Sequence, residues 1–439
     1  MTRLPQFIRG SRWFWLALAL ALLVAVPLAI VGGLRIWERL AGDLEPGPIV
    51  LASGTDVSLN RQRQQLIDKW NLEHPANPAT MVELSQVADL QRSQMVTAAQ
   101  QRSANYDVLN IDAQWTAEFA RGDLLRPIDE TRLDTGDYLD VALDGARYRD
   151  RLWGVPFNAD AGLLYYRADL LRQYGIQPPD HWTWRAMNDT WVKIITFGRP
   201  EGLRSGIGLN MGAYEGRTIN MLEQVWDAGG EVVRDPNIVT VDTEVASEGF
   251  RRIANGVEGG RYAFIDPRSR GWAEDNVVQS FNNGELLFMR GWPVAYPQVD
   301  KALGKDANGR SRVGVAALPG PSVLGGQNLA IAAGSQRPKA AQALIEFLTS
   351  APAQRQLFFR GGLAPARESV LEDTEPSQVP YVNMLRLALE TARNRPVTPY
   401  YPLFTRVMQE EGARLLSGDS DGADTPALAG RLKRVLQGG

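Results

Sequence analysis

The apolar pattern at the start of the chain differs from the pattern in the rest. Residues 13–34 form an uncharged run of 22 residues, which as a helix spans about 33 Å, enough for a bilayer core of roughly 30 Å. Arg3, Arg9 and Arg12 precede this run, and basic residues favour the cytoplasmic side of a membrane. The pattern therefore predicts a transmembrane helix over residues 13–34, with residues 1–12 in the cytoplasm and the body of the chain outside.

A cleaved secretion signal is the alternative interpretation of the same segment. The apolar core of a signal is usually about 7–15 residues long and ends at small residues. Val31, Gly32 and Gly33 offer a weak site of this kind. Both interpretations export the remainder of the chain, and residues 35–48 are typical of a tether that precedes a folded body.

Beyond residue 48, short apolar runs alternate with segments of helical periodicity. Residues 49–52, 81–84 and 106–111 have the pattern of buried strands, and residues 60–70 and 90–101 between them have helical spacing. This alternation predicts an α/β unit with a largely parallel sheet, in which ligands gather at the carboxyl ends of the strands. At those ends the chain carries Ser53, Thr55, Asp56, Asn110, Asp112 and Gln114.

A second α/β region is predicted over residues 160–315. It contains a turn that leads into a strand at residues 281–289. Further along the chain, residues 330–333 have the pattern of a short strand, residues 338–348 that of an amphipathic helix, and residues 427–436 that of a last helix.

The composition excludes several classes of function. Forty-seven basic and 50 acidic side chains give a net charge of −3, whereas nucleic-acid-binding proteins usually carry a basic excess. The absence of cysteine removes disulfides, thiolate metal sites and lipid attachment through cysteine. Because the chain has only two histidines, a histidine-rich metal site is also difficult to build. We therefore expect no metal, no cofactor and no nucleic-acid partner.

Three stretches resemble the extracellular solute-binding proteins of ABC importers, in the maltose-binding-like class. They are DVLNIDAQW at 107–115, WGVPFNADAGLLYYR at 153–167 and FNNGELLFMRGWP at 281–293. The chain is most similar to the trehalose/maltose-binding subgroup through DAGLLYYR at 160–167, LGG at 324–326 and RPVTPYYP at 395–402. These motifs keep the order and spacing of the family over nearly the whole body.

The resemblance implies a two-lobed α/β fold of the periplasmic-binding-protein class II type, with a hinge. The amino-terminal lobe is then residues 49–157 plus 317–366, and the carboxy-terminal lobe is residues 160–316 plus 367–439. The chain is expected to cross between the lobes three times, near residues 157–160, 316–321 and 364–367.

The resemblance also implies which residues hold a ligand. They supply carboxylates, amides, an arginine, an indole and close-packed backbone, which is the inventory that suits sugar hydroxyls and ring faces. The set is Asp56, Asn60, Asp112, Asn158, Asp160, Tyr214, Glu215, Glu274, Trp292, Gly325, Gly326, Gln327 and Arg395. Two positions depart from the family: relatives have a glutamate near Asn60 and a tryptophan at Gln327, so the identity of the sugar is left open.

The sequence therefore predicts a membrane-tethered binding subunit of an ABC sugar importer, and not an enzyme. It is expected to capture a disaccharide of the trehalose or maltose type by lobe closure and to deliver it to permease subunits that work with an ATPase. Two alternatives stay open at this point. One is a glycoside hydrolase with Asp112 and Asp160 as paired carboxylates, and the other is a sugar sensor for a signalling membrane protein.

Overall fold

Two β-sheets organise the chain from residue 47 onward. The structure, a computed structural model, describes residues 44–100, 106–235, 238–258 and 263–438. Within these ranges no helix is long and apolar enough to cross a bilayer. The predicted anchor at residues 13–34 lies outside the described residues.

The described part contains 14 strands. They are β1 (Ile49–Gly54), β2 (Ala79–Leu84), β3 (Val108–Asp112), β4 (Leu125–Arg126), β5 (Arg147–Tyr148), β6 (Arg151–Leu152), β7 (Val155–Ala161), β8 (Leu163–Arg167), β9 (Ser205–Gly208), β10 (Val233–Asp235), β11 (Ile238–Val239), β12 (Leu286–Gly291), β13 (Val313–Ala317) and β14 (Leu324–Ala332).

The described part also contains 16 α-helices. They are α1 (Gln62–Glu73), α2 (Ala88–Gln100), α3 (Thr116–Arg121), α4 (Asp140–Ala146), α5 (Ala168–Gln173), α6 (Trp184–Thr196), α7 (Glu215–Asp227), α8 (Glu244–Val257), α9 (Glu274–Asn282), α10 (Tyr296–Leu303), α11 (Pro338–Leu348), α12 (Ala351–Gly361), α13 (Glu368–Glu372), α14 (Val382–Thr391), α15 (Tyr401–Ser417) and α16 (Thr425–Leu436).

The first sheet has six strands in the order β2-β1-β3-β14-β4, with β7 paired to β14. Strands β2, β1 and β3 are parallel, as the alternation of strands and helices predicts, whereas β14 runs antiparallel to β3, β4 and β7. Five of the six residues of β1 are buried, which is typical of a strand covered on both faces. We call this sheet and the helices packed on it the first lobe.

The second sheet has four strands in the order β13-β8-β12-β9. Its core is an apolar cluster that extends from Leu164 to Leu436 and includes Phe404 and Leu428 of the two carboxy-terminal helices. The predicted last helix is therefore confirmed, with its start at Thr425, two residues earlier than expected. We call this sheet and its helices the second lobe.

The connections between the sheets position the functional site. Strand β7 stays in the first sheet up to Ala161 and β8 begins in the second sheet at Leu163, so the chain passes between the sheets at Gly162. The return connection, between β13 and β14, contains Ser322. The backbone N–H of Gly162 donates to Ser322 Oγ at 2.6 Å, and this bond ties the two connections together.

Candidate functional site

A row of four polar residues and one glycine lies on one face of three adjacent strands of the first lobe. Gln327 on β14 is in register with Asp112 on β3 and with Asn158 on β7, and Gly325 is in register with Asp160. Side chains two residues apart on a strand project from the same face, so these five residues share one face. We call them the row. The sequence names all five as ligand contacts, and the structure brings them together.

Asp112 lies at the carboxyl end of β3 among amide donors. Gln114 Nε2 donates to Asp112 Oδ2 at 3.0 Å, and Asn110 Nδ2 donates to Gln327 Oε1 at 2.8 Å. Burial raises the pKa of Asp112, and the nearby Arg395 guanidinium opposes that rise. The Asp112 carboxylate is thus oriented by the amide of Gln114, two residues further along the chain.

Asp160 is the most strongly perturbed carboxylate of the row. Burial raises its pKa from the 3.8 of an exposed aspartate to about 7. The Asn158 amide, which donates to Asp160 Oδ2 at 2.8 Å, limits this rise, as do the backbone of Ala364 and the charge of Arg290. Asp160 Oδ1 is buried and has no hydrogen-bond partner. A hydrogen-bond donor on a ligand would therefore stabilise the Asp160 carboxylate by supplying the missing partner of Oδ1.

Trp292 follows β12 of the second lobe, and its indole lies beside the row. A Cβ placed on Gly325 would lie 2.8 Å from two ring carbons of Trp292, so only glycine at this position lets the indole approach. The guanidinium carbon of Arg290 lies 3.6 Å from the centre of the indole, a cation–π contact. Tyr165 OH donates to the Trp292 carbonyl at 2.8 Å. The indole is therefore fixed in position beside the row.

Gly326 brings two strands together behind the row. Its φ is +106°, a backbone conformation that residues other than glycine rarely adopt. A Cβ there would lie 2.2 Å from the Asn158 carbonyl oxygen. The two glycines of the predicted pair therefore act differently. Gly325 allows the Trp292 indole to approach closely, and Gly326 allows the backbone of Asn158 to do so.

Arg395 and Glu215 form a buried ion pair. Arg395 Nη1 donates to Glu215 Oε1 at 2.9 Å, and the side chains are 4% and 5% exposed. Tyr401 OH donates to the same oxygen, and Thr405 Oγ1 donates to Glu215 Oε2 at 2.7 Å. The second guanidinium nitrogen of Arg395 is directed to the Leu324 carbonyl at 3.4 Å. The structure therefore gives both predicted residues partners within the chain.

Tyr214 and Glu274 lie with Asn210 at one edge of the second sheet. Asn210 follows β9, and Trp292 follows β12, which runs parallel to β9, so their carboxyl ends meet at the same edge. Asn210 Nδ2 donates to Glu274 Oε1 at 3.1 Å. Burial raises the pKa of Tyr214, and the Glu274 carboxylate adds to this rise. We call the site bordered by this edge and the row the cleft, and we call the edge and the row its two walls.

Asp56 and Asn60 lie at the first lobe's connection between β1 and α1. Asp56 accepts from the backbone N–H groups of Ser58 and Gln64, both at 3.1 Å, and it is also 3.9 Å from the Arg63 guanidinium. Both carboxylate oxygens are therefore used in building this connection. Asn60 is exposed, with a positive φ of 55°, and its carbonyl accepts from a glutamine of the following helix.

The two lobes also contact each other directly through side chains outside the row. Gln409 Nε2 on α15 is 3.5 Å from Asp89 Oδ2 on α2, and the Arg121 guanidinium lies 5.0 Å from the centre of the Tyr400 ring. Burial raises the pKa of Asp89. These contacts join residues that are far apart in the chain.

Sequence reasoning missed a second buried ion pair near Trp292. Arg290 donates through Nε and Nη2 to the two oxygens of Glu223, at 3.2 and 2.8 Å, and Glu223 also accepts from the Val323 backbone. The signal was present, because Arg290 is the one charged residue in the otherwise apolar strand β12. Its partner on α7 had no such signal.

Two α/β lobes joined by connections that border a polar cleft define a two-lobed periplasmic-binding-protein-like fold. The chain belongs to the bacterial extracellular solute-binding protein family, whose model matches residues 66–382. The resemblance to this family is thereby confirmed, and the chain is a solute-binding protein and not an enzyme. Its place in the trehalose/maltose-binding subgroup stays a prediction. Among the described residues, no group of three or more histidine or carboxylate side chains is arranged to hold a metal ion.

Similarity to known proteins extends over most of the chain. A probable ABC transporter-binding protein of Deinococcus radiodurans is 26% identical over 384 residues, which are 84% of this chain and 89% of the relative. Maltose-bound MalE3 of T. maritima is 26% identical with a TM-score of 0.79, over 89% of this chain and 99% of that one. The GacH receptor of Streptomyces glaucescens, solved unliganded and with acarbose, is 25% identical with a TM-score of 0.77, over 89% and 98%.

Proposed function

We propose that this protein is the substrate-binding subunit of an ABC sugar importer and that its ligand is a disaccharide of the trehalose or maltose type. The protein captures the sugar between its lobes and delivers it, chemically unchanged, to permease subunits that work with an ATPase. Two of the similar proteins were solved with maltose and with acarbose bound, which supports a carbohydrate ligand.

The juxtaposition of the row with Trp292 is the observation that carries this proposal. Ionised carboxylates accept strong hydrogen bonds from hydroxyls, and amides both accept and donate. An indole covers the apolar C–H face of a sugar ring and excludes water. A pyranose presents both kinds of surface, so a cleft with acids and amides on one wall and an indole on the other suits it.

Lobe closure follows from the placement of these groups on different lobes. A ligand that contacts the row and Trp292 together stabilises the form in which the two walls are close. The connections through Gly162 and Ser322 are where the hinge of such a motion is expected. A permease then recognises the closed form without contacting the sugar.

Calorimetric titration of the purified protein with trehalose, maltose, sucrose, glucosylglycerol and glucose tests the proposal. We expect one of the disaccharides to bind most tightly. Asp112→Asn is expected to weaken that binding about ten- to a hundredfold, because a hydrogen bond to a charged group contributes roughly 1.5–3 kcal/mol.

Asp189→Asn is the matched control, since the Asp189 side chain is 67% exposed on α6 and lies outside the cleft. It should leave the affinity unchanged. If no member of the panel binds, the ligand class is wrong. If Asp112→Asn binds as tightly as the unsubstituted protein, the row is not the site.

We also propose that residues 13–34 remain as a membrane anchor, which keeps the body on the outer side. The protein produced in its bacterial host should sediment with membranes and dissolve only in detergent, and its intact mass should include residue 1. A mature protein that begins near residue 34 and is found in the soluble fraction would contradict the anchor and indicate a cleaved signal.

A further inference from the structure

The wall of the cleft formed by the first lobe contains buried side-chain oxygens without hydrogen-bond partners. Asn158 and Gln114 are 6% and 4% exposed, and each donates one of its two amide N–H groups to a carboxylate of the row. The oxygen at the other end of each amide, Asn158 Oδ1 and Gln114 Oε1, is buried and has no partner.

The carboxylates themselves fix these amide orientations. An ionised carboxylate is an acceptor only, so it selects the nitrogen end of a neighbouring amide and leaves the oxygen end facing away. Asn110 also has an unpartnered Oδ1, although its Nδ2 donates to Ser53 Oγ and Gln327 Oε1 rather than to a carboxylate. Four buried oxygens of this wall therefore lack a hydrogen-bond donor, namely Asn110 Oδ1, Gln114 Oε1, Asn158 Oδ1 and Asp160 Oδ1.

The two aspartates of the row also lack a cation of their own. The nearby guanidinium groups are each held by a closer glutamate, Arg395 by Glu215 at 2.9 Å and Arg290 by Glu223 at 2.8 Å. Among the described residues, no ion pair includes either aspartate of the row. The negative charge of this wall is therefore not balanced by the chain.

An alcohol and an ammonium group fit such a wall differently. A hydroxyl brings one donor and no charge, so it serves one unpartnered oxygen and leaves the negative charge unbalanced. An ammonium group brings three donors, no acceptor and a positive charge. Only the ammonium group matches both the unpartnered oxygens and the unbalanced charge.

We propose that the ligand is an amino sugar or another glycoside with a protonated amine, and that its ammonium group lies against Asp160 Oδ1 and Asn158 Oδ1. This inference rests on the proposed function, namely that the cleft binds a carbohydrate. Asp160 is chosen over Asp112 because Asp160 Oδ1 is buried and unpartnered, whereas neither oxygen of Asp112 is both buried and unpartnered. Trp292, which lies over Gly325 next to Asp160, covers the adjoining sugar ring.

The pH dependence of binding follows from the groups that face Asp160. These are the Arg290 guanidinium, the Asp112 carboxylate, the hydroxyls of Tyr165 and Tyr381, the Asn158 amide and the backbone of Ala364. An ammonium ligand binds the ionised carboxylate, and burial raises the pKa of Asp160 in the empty cleft to about 7. Affinity for an alkyl amine should therefore rise with pH, by up to tenfold for each pH unit below about 7, and level off above it.

The test uses derivatives of trehalose and maltose in which one hydroxyl at a time is replaced by an amine or by an N-acetylated amine. Titration calorimetry at pH 7.5 should find at least one amine that binds ten times more tightly or better than its parent sugar. The acetylated form should lose this gain, and Asp160→Asn should remove it while Asp189→Asn keeps it. The folded state of both variants is checked by thermal melting.

The outcomes separate this inference from the proposed function. If a parent sugar binds and every amine binds equally or more weakly, the inference is overturned and the carbohydrate function stands. If neither parent sugars nor amines bind, both are overturned. An amine preference that survives in Asp160→Asn overturns the placement of the ammonium group.

Discussion

Replacing Glu215 by alanine is expected to lower the free energy of unfolding by about 3–5 kcal/mol, because removal of one partner of a buried ion pair leaves the other charge unpaired. Arg395 is 5% exposed, and its ion-pair partner is the Glu215 carboxylate. The substitution also removes the acceptor of the Tyr401 and Thr405 hydroxyls. Urea unfolding followed by circular dichroism, with the midpoint and slope both recorded, measures the effect.

A double variant shows whether the loss comes from the unpaired charge. Glu215→Leu combined with Arg395→Met removes both charges and keeps apolar volume, and such replacements of buried pairs are often close to neutral. The double variant should therefore be more stable than Glu215→Ala. Asp189→Ala, which removes an exposed ion pair with Arg185, should change stability by less than about 1 kcal/mol. Equal losses in the single and double variants would contradict the charge argument.

The stability of the ligand-free protein is expected to depend on pH through Asp160. Its pKa is raised by burial to about 7 in the folded protein, whereas the unfolded chain has the ordinary value near 3.9. Between these values the folded state binds more protons than the unfolded state, so the contribution of Asp160 to stability falls as the pH rises. Because Asp160 is partly exposed, we expect a total contribution on the order of 2–4 kcal/mol rather than the full value of the shift.

Asp160→Asn isolates this contribution from that of the other titratable groups. At pH 8 the variant should be more stable than the unsubstituted protein, and at pH 4 the two should be nearly equal. Urea midpoints measured at pH 4, 6 and 8 test this, with Asp189→Asn as a control that should follow the unsubstituted protein at every pH. A variant that is less stable at pH 8 would show that Asp160 is ionised without penalty in the fold.

Hydrophobic periodicity was sufficient to predict most elements of the body. The helix predicted over residues 338–348 has those bounds in the structure, because proline suits its first position and its apolar residues form one buried stripe. The helix predicted from residue 60 begins only at Gln62, since Asn60 and Arg61 both adopt positive φ. A local backbone conformation of this kind leaves no trace in an apolar pattern.

Strand β14 shows where periodicity was insufficient. The pattern predicts a strand over residues 330–333, whereas the strand extends over Leu324–Ala332. Its first half contains Gly325, Gly326 and Gln327, which have low strand propensity and pair with β7 because of tertiary packing. The glycine pair had to be recognised from a family motif, and its physical reason became visible only with Trp292 and Asn158 beside it.

The sequence by itself determined the alternating α/β order, the absence of cysteine chemistry and, through its motifs, the family and the five residues of the row. It could do so because burial patterns and motifs are local properties of the chain. Only the tertiary structure decided that Asp112, Gln327 and Asn158 stand side by side, that Arg395 is paired with Glu215, and that the amides of the wall leave their oxygens free. The first two features depend on strand register and on contacts between residues more than 100 positions apart. The amide oxygens become buried only when the chain folds, so no local pattern encodes any of the three.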